Sequence, residues 1–555
     1  MAVRINTGQD QLVTSMALPK TGFAIMAVGI AMIKIVLIEA IAAASQLRAD
    51  HCLSASKHTG ILGTFRITGI LAHTPRGMLD YQRERKNMSL KVINIDTPAL
   101  GDRGYIAHDG KTALVVDPQR DIDRVEKVLA ENELALGAVV ETHMHNDYVS
   151  GGLVLARNYQ VDYITSADDP VSFNRVAAKD LDEFNIGNFA IKAVHTPGHT
   201  FTHLSYILMD ENAKSVGVFT GGSLLHGSTG RPDLLGQDHA PKLAELQHGS
   251  AHRLAALLED ATPIFPTHGF GSFCAATSTS GTSSTISDEK KFNPALQMSV
   301  ERFVSETLAG LDTFPAYYKH MGPANHAGAG PIDLSELTRL STDELIKAIA
   351  SESWVVDLRD KDSWAAAHLP GSMNFGIAGS FATYLGWLFP YENELILISD
   401  QAEQIALAQR ELVRIGIDRP AGSFVGDIAK IESTKSMQKV KFEDVPAVLA
   451  DPGILVLDVR RNSERKASHI AGSHHIPLHE LMNRLSELPA DKTIWVHCAG
   501  AYRAAIAASI MENAGLAVVL INEPYENALS VIDLPLVAGA ADHSPIAPSD
   551  TKVTA

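Results

Sequence analysis

The sequence predicts an α/β protein of several domains, a strand-rich domain followed by two small parallel-sheet α/β domains. Three observations carry this. The chain has 555 residues, and single hydrophobic cores rarely grow beyond about 250–300 residues. From residue 88 to about 290, short apolar runs alternate with loops rich in Gly, Pro, His and Thr, the pattern of strands that present polar loops. Beyond residue 330 the chain repeats itself. Trp354-Val355-Val356-Asp357-Leu358-Arg359 with Ala367-His368-Leu369-Pro370-Gly371-Ser372 returns as Val456-Leu457-Asp458-Val459-Arg460 with Ser468-His469-Ile470-Ala471-Gly472-Ser473.

Composition narrows the class. Apolar residues make up 45% of the chain and the net charge is −17. The first supports packed domains; the second argues against a nucleic-acid partner, which needs a basic face. Cys52, Cys274 and Cys498 are far apart and make no disulfide framework, so a reducing, cytoplasmic setting is expected. Residues 1–87 are read as an extension, either mis-started or a hydrophobic anchor. A membrane contact is expected only if residues 22–45 anchor the chain, because Lys34 and Glu39 interrupt the apolar run before the roughly 18 residues of a span accumulate.

A first strand is expected around Ser89–Ile95 and a second at Thr112–Val116, closed by the turn Asp117-Pro118. Ile122, Val125, Val128 and Leu129 fall at helical spacing. Leu136–Val140, Ala190–Val194, Leu204–Met209 and Ser215–Phe219 read as further strands, and Ala275–Ser287 as a loop. The small-residue stretch Gly322–Pro331 marks a domain boundary. The expected organisation is an extension at 1–87, a strand-rich domain at 88–330, α/β domains at 335–430 and 437–540, and a tail at 541–555.

Directly after Leu136–Val140 comes Thr142-His143-Met144-His145-Asn146-Asp147-Tyr148. Two imidazoles and a carboxylate on a tight loop are what a divalent metal needs. Further on stand His195-Thr196-Pro197-Gly198-His199, Phe219-Thr220-Gly221-Gly222-Ser223, Gly230-Arg231-Pro232-Asp233 and Pro266-Thr267-His268-Gly269. In order and spacing these segments resemble the metallo-β-lactamase fold, an αββα sandwich, and within it the glyoxalase II and persulfide dioxygenase branch. The resemblance implies metal-binding roles for His143, His145, Asp147, His199 and His268. Two positions depart from it: Tyr148 stands where a His is expected, and Gly222 where a bridging Asp is expected. A two-metal hydrolase needs that bridge, and a single-iron dioxygenase needs the same carboxylate beside His143 and His199. The intact set is then His143, His145 and His199, with Asp147 and His268 as outer groups and Tyr148 as a hydrogen-bond donor or weak ligand. The expected cofactor is one divalent metal per chain, iron or zinc. His195, His203 and His226 are expected in loops or core, with His226 the nearest to an exception; Cys274 is read as a buried contact and Asp233 as a loop residue.

The two repeats resemble rhodanese domains, parallel α/β folds. The second carries Cys498-Ala499-Gly500-Ala501-Tyr502-Arg503, a Cys-x4-Arg loop between a strand and a helix. Such a loop aims backbone N–H groups at sulfur and favours the thiolate, so Cys498 is expected as the nucleophile, Arg503 as its fixed charge, and Asp458 and Arg460 as supporting groups. The first repeat has Ser399-Asp400-Gln401 in that place and is expected to be structural or docking, with Asp357 and Arg359 serving its fold. The resemblance implies a sulfur-metabolism enzyme acting on low-molecular-weight thiol persulfides, a persulfide dioxygenase-like domain joined to a sulfurtransferase, and allows a homo-oligomer. Two alternatives stay open: a glyoxalase II-like thioester hydrolase, and a non-catalytic sulfide-response scaffold.

Overall fold

The computed structural model describes residues 90–539, residues 278 and 280 excepted. The extension at 1–87 with its apolar run and Cys52, and the tail at 541–555, lie outside the described residues. Two six-stranded sheets open the fold. The first contains β1 (Lys91–Thr97), β2 (Asp102–His108), β3 (Thr112–Val116), β4 (Ala135–Val140), β5 (Asp162–Ser166) and β6 (Val176–Ala178) in that order. Its strands are antiparallel up to β3 and parallel from there on. The second contains β7 (Glu183–Ile186), β8 (Phe189–His195), β9 (Leu204–Met209), β10 (Ser215–Gly221), β11 (Pro263–Pro266) and β12 (Ser284–Thr285).

Alternation along the strands sets the layers, because successive side chains leave a strand on opposite faces. Tyr105, Leu114, Val116, Ala138 and Val140 turn inward to meet Phe189, Ile191, Leu204, Tyr206, Leu208 and Phe219 between the sheets. Their neighbours Ile106, Val115 and Val139 turn outward onto the helices Asp123–Glu131 and Gly152–Tyr159. Ile207, Met209 and Val218 do the same under the helices Ala240–Leu257 and Val300–Gly310. The result is an αββα sandwich. Each fully buried Leu or Val contributes about 1.5–3 kcal/mol, so a slip of one residue in any inner strand would be strongly opposed.

Two expectations differ from the structure. Ala275–Ser287 is not all loop: β12 lies within it, and Thr285 caps the helix Ile286–Phe292 in a reciprocal box with Asp288. The stretch Gly322–Pro331 begins inside the helix Tyr318–Ala327, which buries Met321 and Asn325.

The repeats fold as parallel sheets. The first has the order β14-β13-β15-β16, with β13 (Trp354–Asp357), β14 (Ser372–Asn374), β15 (Leu395–Ser399) and β16 (Gly422–Val425). The second has the order β17-β22-β21-β18-β20, with β17 (Lys439–Val440), β18 (Ile454–Asp458), β19 (His469–Ile470, paired outside this sheet), β20 (His474–His475), β21 (Thr493–His497) and β22 (Ala517–Ile521). One apolar cluster joins all three parts, running from Leu100, Tyr148, Val149 and Met321 through Trp387 and Leu412 to Val459 and Cys498. Ion pairs pin the first repeat to the sandwich: buried Arg414 grips buried Asp121 with Nε–Oδ1 at 3.0 Å and Nη2–Oδ2 at 2.7 Å, and buried Arg120 pairs with the exposed Asp418. Among the described residues, no helix is long and apolar enough to cross a membrane.

Candidate metal and sulfur sites

The candidate metal site sits where β2, β3, β4, β8, β10 and β11 deliver loops to one end of the sandwich. After β4 the chain turns through Glu141 and Thr142 into His143, and Asp117 at the end of β3 fixes that turn. Its carboxylate accepts from the Thr142 N–H and hydroxyl, both at 2.7 Å, and from the Thr267 hydroxyl. Because the Thr142 proton goes to Asp117, its oxygen accepts from His143 Nδ1–H at 3.0 Å. His199 Nδ1 donates to the Arg231 carbonyl at 2.9 Å, and His268 Nδ1 faces Asp102 Oδ1 at 2.9 Å and Asp147 Oδ2 at 3.1 Å.

His143, His199 and His268 each offer a ligand atom within 4.8 Å of the others, and His145, Asp147 and His268 form a second such group. His143 and His268 approach through their Nε2 atoms at 3.3 Å. His145 is turned the other way, its Nε2 facing Tyr148 Oη at 2.9 Å, Glu141 Oε2 at 3.2 Å and Asp117 Oδ1 at 3.3 Å. Tyr148 stacks on the His145 ring with centroids 4.2 Å apart, and its hydroxyl faces His145 Nε2 at 2.9 Å and the Asp117 carbonyl at 3.3 Å. Asn325 holds the loop from behind, donating to the His145 and Tyr148 carbonyls at 2.8 Å each and accepting from Ser150 N–H at 2.8 Å.

The donor set fits a divalent metal. His199 Nε2, His145 Nδ1 and Asp147 Oδ1 are buried without a hydrogen-bond partner, and each such orphan is costly unless something polar or cationic meets it. Burial and neighbouring imidazoles hold His143 well below its ordinary value. Burial and His268 bring His199 down to about 3. Both are thus neutral, the form that ligates. For His145, burial opposes charge, but Asp117 and Glu141 outweigh it and raise it to about 9. Burial and Asp147 push Asp102 up to about 7, and Asp147 with Asp102 raises His268 to about 10 against its burial.

At Gly222 a Cβ would stand 2.3 Å from His199 Cδ2 and 2.6 Å from its Cγ, and at Gly230 a Cβ would lie 2.6 Å from His199 Nδ1. The His199 ring fills a slot between two glycines, in the space a side chain at 222 would use. Asp233 is engaged by Arg231, with Nε–Oδ1 at 2.7 Å and Nη2–Oδ2 at 2.9 Å. His203 bonds the Gly222 N–H and Thr196, His195 bonds the Phe201 carbonyl, and His226 packs edge-on against Phe270. None of these three belongs to a metal-ligand group among the described residues. Cys274 is buried beside Tyr318 Oη, and burial pushes its thiol well up.

Sequence reasoning missed Asp102, Asp117, Glu141 and Asn325. Asp117 carried one faint signal, an Asp-Pro turn at a strand end, and the others carried none.

In the second repeat, Cys498 follows β21 and lies almost fully buried. Ala501 takes a left-handed backbone (φ 63°) so that the helix Tyr502–Asn513 can start at once, and Ala504 N–H points at Cys498 Sγ at 3.4 Å. Arg503 forks onto Glu464 at 2.6 and 2.8 Å. The pair Arg460–Asp458 is bidentate, with Nη2–Oδ2 at 2.7 Å, and Arg359–Asp357 repeats it at 2.6 Å. Asp357 pairs in register with Ile398 as Asp458 does with His497, so Ser399 takes the place of Cys498 in the first repeat. That repeat also covers the Cys498 loop. Tyr502 Oη donates to the Gly376 carbonyl at 2.8 Å, and Tyr384 and Trp387 line a recess with Arg461, His479 and Arg503.

Comparison with known proteins agrees with this architecture. A crystal structure of a metallo-β-lactamase from Staphylococcus aureus subsp. aureus COL superposes with a TM-score of 0.55 at 25% identity, covering 61% of this chain and 100% of that one. A probable polyketide biosynthesis zinc-dependent hydrolase of Bacillus velezensis is 32% identical over 166 residues, 29% of this chain and 69% of that protein. The chain belongs to the metallo-β-lactamase-fold family. Residues 341–433 and 442–529 each match the rhodanese-like domain family, so the protein is a fusion of the two. The mitochondrial persulfide dioxygenase of Homo sapiens is 28% identical over 214 residues, 38% of this chain and 74% of that enzyme. These relationships support a role in sulfur metabolism.

Proposed function

We propose that the chain processes low-molecular-weight thiol persulfides, combining a metal-dependent, persulfide dioxygenase-like domain with a rhodanese sulfurtransferase domain. The observation that carries this is the Cys498 loop: a buried thiol that meets the Ala504 N–H, at a helix start, beside an Arg503 held in place by Glu464. Such a cradle turns a backbone N–H dipole toward the sulfur. Cys498 Sγ attacks the outer sulfur of a thiol persulfide; the S–S bond breaks, its electron pair leaves with the small thiolate, and Cys498 keeps the sulfane sulfur. Arg503 and Arg461 line the recess beside this loop and attract the acidic groups of a small thiol carrier.

At the other site an iron or zinc ion would supply Lewis acidity and open positions for sulfur or oxygen. The chain's own residues fix the imidazole tautomers: Thr142 and the Arg231 carbonyl accept from His143 and His199, leaving both Nε2 lone pairs facing inward. A second reading, glyoxalase II-like thioester hydrolysis, is favoured by the zinc-dependent hydrolase relative, but the bridging carboxylate of a two-metal hydrolase has no room at Gly222.

The test uses the full chain, purified without oxygen and assayed for oxygen uptake with glutathione persulfide and for sulfur transfer to cyanide. Wild type is expected to perform both, and Cys498→Ser to lose only the transfer. Thioester hydrolysis with zinc and no oxygen uptake would favour the second reading; loss of all activities and of metal would leave a scaffold.

A further inference from the structure

The first repeat has Ser399 in place of a loop cysteine, yet one of its side chains reaches toward the loop of its neighbour. The helix Phe381–Leu388 buries seven of its eight residues, and Tyr384 is the exception. A single phenol turned out of an apolar helix would be ordinary at a solvent face. This one faces the second repeat instead. It lines the recess beside the Cys498 loop together with Val459, Arg461 and Arg503, and its ring lies 5.9 Å from that of Tyr502 within the loop. Trp387, one turn on, stacks against it with centroids 6.2 Å apart and fixes its plane.

Burial pushes the Tyr384 hydroxyl up, Arg503 and Arg461 pull it down, and Glu464 and Cys498 push it up again. Those four groups all belong to the second repeat. The net rise keeps the proton on oxygen, so this hydroxyl is a donor at neutral pH. The other donors at the recess are committed. Arg503 forks onto Glu464 at 2.6 and 2.8 Å, and Arg461 Nε faces the same carboxylate at 3.2 Å. His479 lies flat on Trp387 with its Nε2 3.6 Å from Glu480 Oε1.

Displacement at sulfur runs in line, so the leaving sulfur stands at least roughly 4 Å from the attacking one, two sulfur–sulfur bond lengths. Cys498 is almost fully buried, with the Ala504 N–H behind it at 3.4 Å, and the leaving sulfur is thereby directed into the recess. The free space there, about 250 Å³, is too small for a whole drug-sized ligand and suits the sulfur end of a carrier.

We propose that Tyr384, from the repeat without a cysteine, is a catalytic residue of the Cys498 site and donates a hydrogen bond from Oη to the carrier thiolate as it leaves. Cys498 Sγ bonds to the outer sulfur of the thiol persulfide, the S–S bond breaks, and both electrons stay with the carrier sulfur; the Tyr384 proton remains on oxygen. The donor serves the loading of Cys498. In discharge to cyanide the leaving thiolate is Cys498 itself, which its own loop holds. The proposal rests on the sulfurtransfer reading above, and its test separates the two.

The full chain and its Tyr384→Phe variant are followed through one turnover without oxygen, with Cys498→Ser as the blank. Loading is read as persulfide formed on Cys498 from glutathione persulfide, by mass spectrometry after alkylation. Discharge is read as thiocyanate released when the loaded protein meets cyanide. Tyr384→Phe is expected to load about tenfold or more slowly, as for the loss of one hydrogen bond to a charged group, and to discharge at the wild-type rate. Near-UV circular dichroism checks that it is folded. Should it misfold, 3-fluorotyrosine at residue 384 keeps the ring with a stronger donor: faster loading supports the proposal, and equal or slower loading overturns it. Normal loading in Tyr384→Phe, or equal slowing of both halves, overturns the proposal and leaves sulfur transfer standing. Wild type that forms no persulfide on Cys498 sinks the functional reading and this proposal with it.

Discussion

Putting a side chain back at residue 222 should damage the site it would be expected to repair. In Gly222→Ala the new Cβ would sit 2.3 Å from His199 Cδ2, against an ordinary contact of 3.4 Å or more, so the ring must retreat by over about 1 Å. It has nowhere to go: Gly230 backs its other edge, and moving stretches the 2.9 Å bond from Nδ1 to the Arg231 carbonyl. Overpacking of this kind costs about 1–3 kcal/mol, and a broken buried hydrogen bond adds about 1 kcal/mol. Urea unfolding of the metal-free proteins should therefore show Gly222→Ala destabilised by about 2–4 kcal/mol, with weaker Co(II) binding. Gly222→Asp should do no better, despite restoring the carboxylate. An aspartate variant as stable as wild type that binds iron more tightly would refute the reasoning, because it would mean the slot is open.

Two further outcomes follow from buried charge. Glu464 is drawn down to about 2, since Arg503 and the Arg461 N–H outweigh the upward push of its burial. A depressed carboxylate stabilises the fold above its unfolded value near 4.5 and loses that contribution as pH falls toward 2. The stability gap between wild type and Glu464→Gln should thus be flat above about pH 5 and close below it; a gap that widens in acid contradicts the pairing. At the seam between sandwich and first repeat, Asp121→Ala takes the bidentate partner from the buried Arg414, leaving it Glu411 alone, and removes a partner from Arg124 and Arg410; it should cost about 3 kcal/mol. Adding Arg414→Met should recover at least about 1 kcal/mol in a double-mutant cycle, and simple additivity would show the pair uncoupled.

How far the sequence could be read depended on whether a signal was local. Leu204–Met209 is a strand from the first to the last expected residue, and the helix predicted from Ile122 to Leu129 forms at Asp123–Glu131, because apolar period is written within a few residues of itself. The histidine cluster was legible for the same reason. Asp102 was not: it is a lone carboxylate at the start of β2, and only closure of the two sheets brings it to His268, 166 positions away. Asn325 hid in a stretch of small residues that read as a boundary, yet its amide fastens the metal loop. The direction in which His145 faces depends on Glu141, Asp117 and Tyr148 together, which no spacing rule encodes. The duplicate repeat was plain from Asp357-Leu358-Arg359 and Asp458-Val459-Arg460, whereas the docking of Tyr384 over the Cys498 loop required three dimensions.

The first repeat has Ser399 where the second has Cys498, yet it packs against both candidate sites. Val149 N–H, one residue beyond Tyr148, donates to the Arg414 carbonyl at 2.7 Å, and Tyr148 and Val149 share a core with that repeat's helices. A protease cut or a truncation in the linker near residue 330 would not release a free-standing metal enzyme. It would bare the apolar back of the ligand loop and leave Asp121 and Arg120 without their partners across the seam. A fragment that keeps these contacts behind the candidate metal loop therefore extends at least to Asp418, and the first repeat is the wall against which that loop is packed.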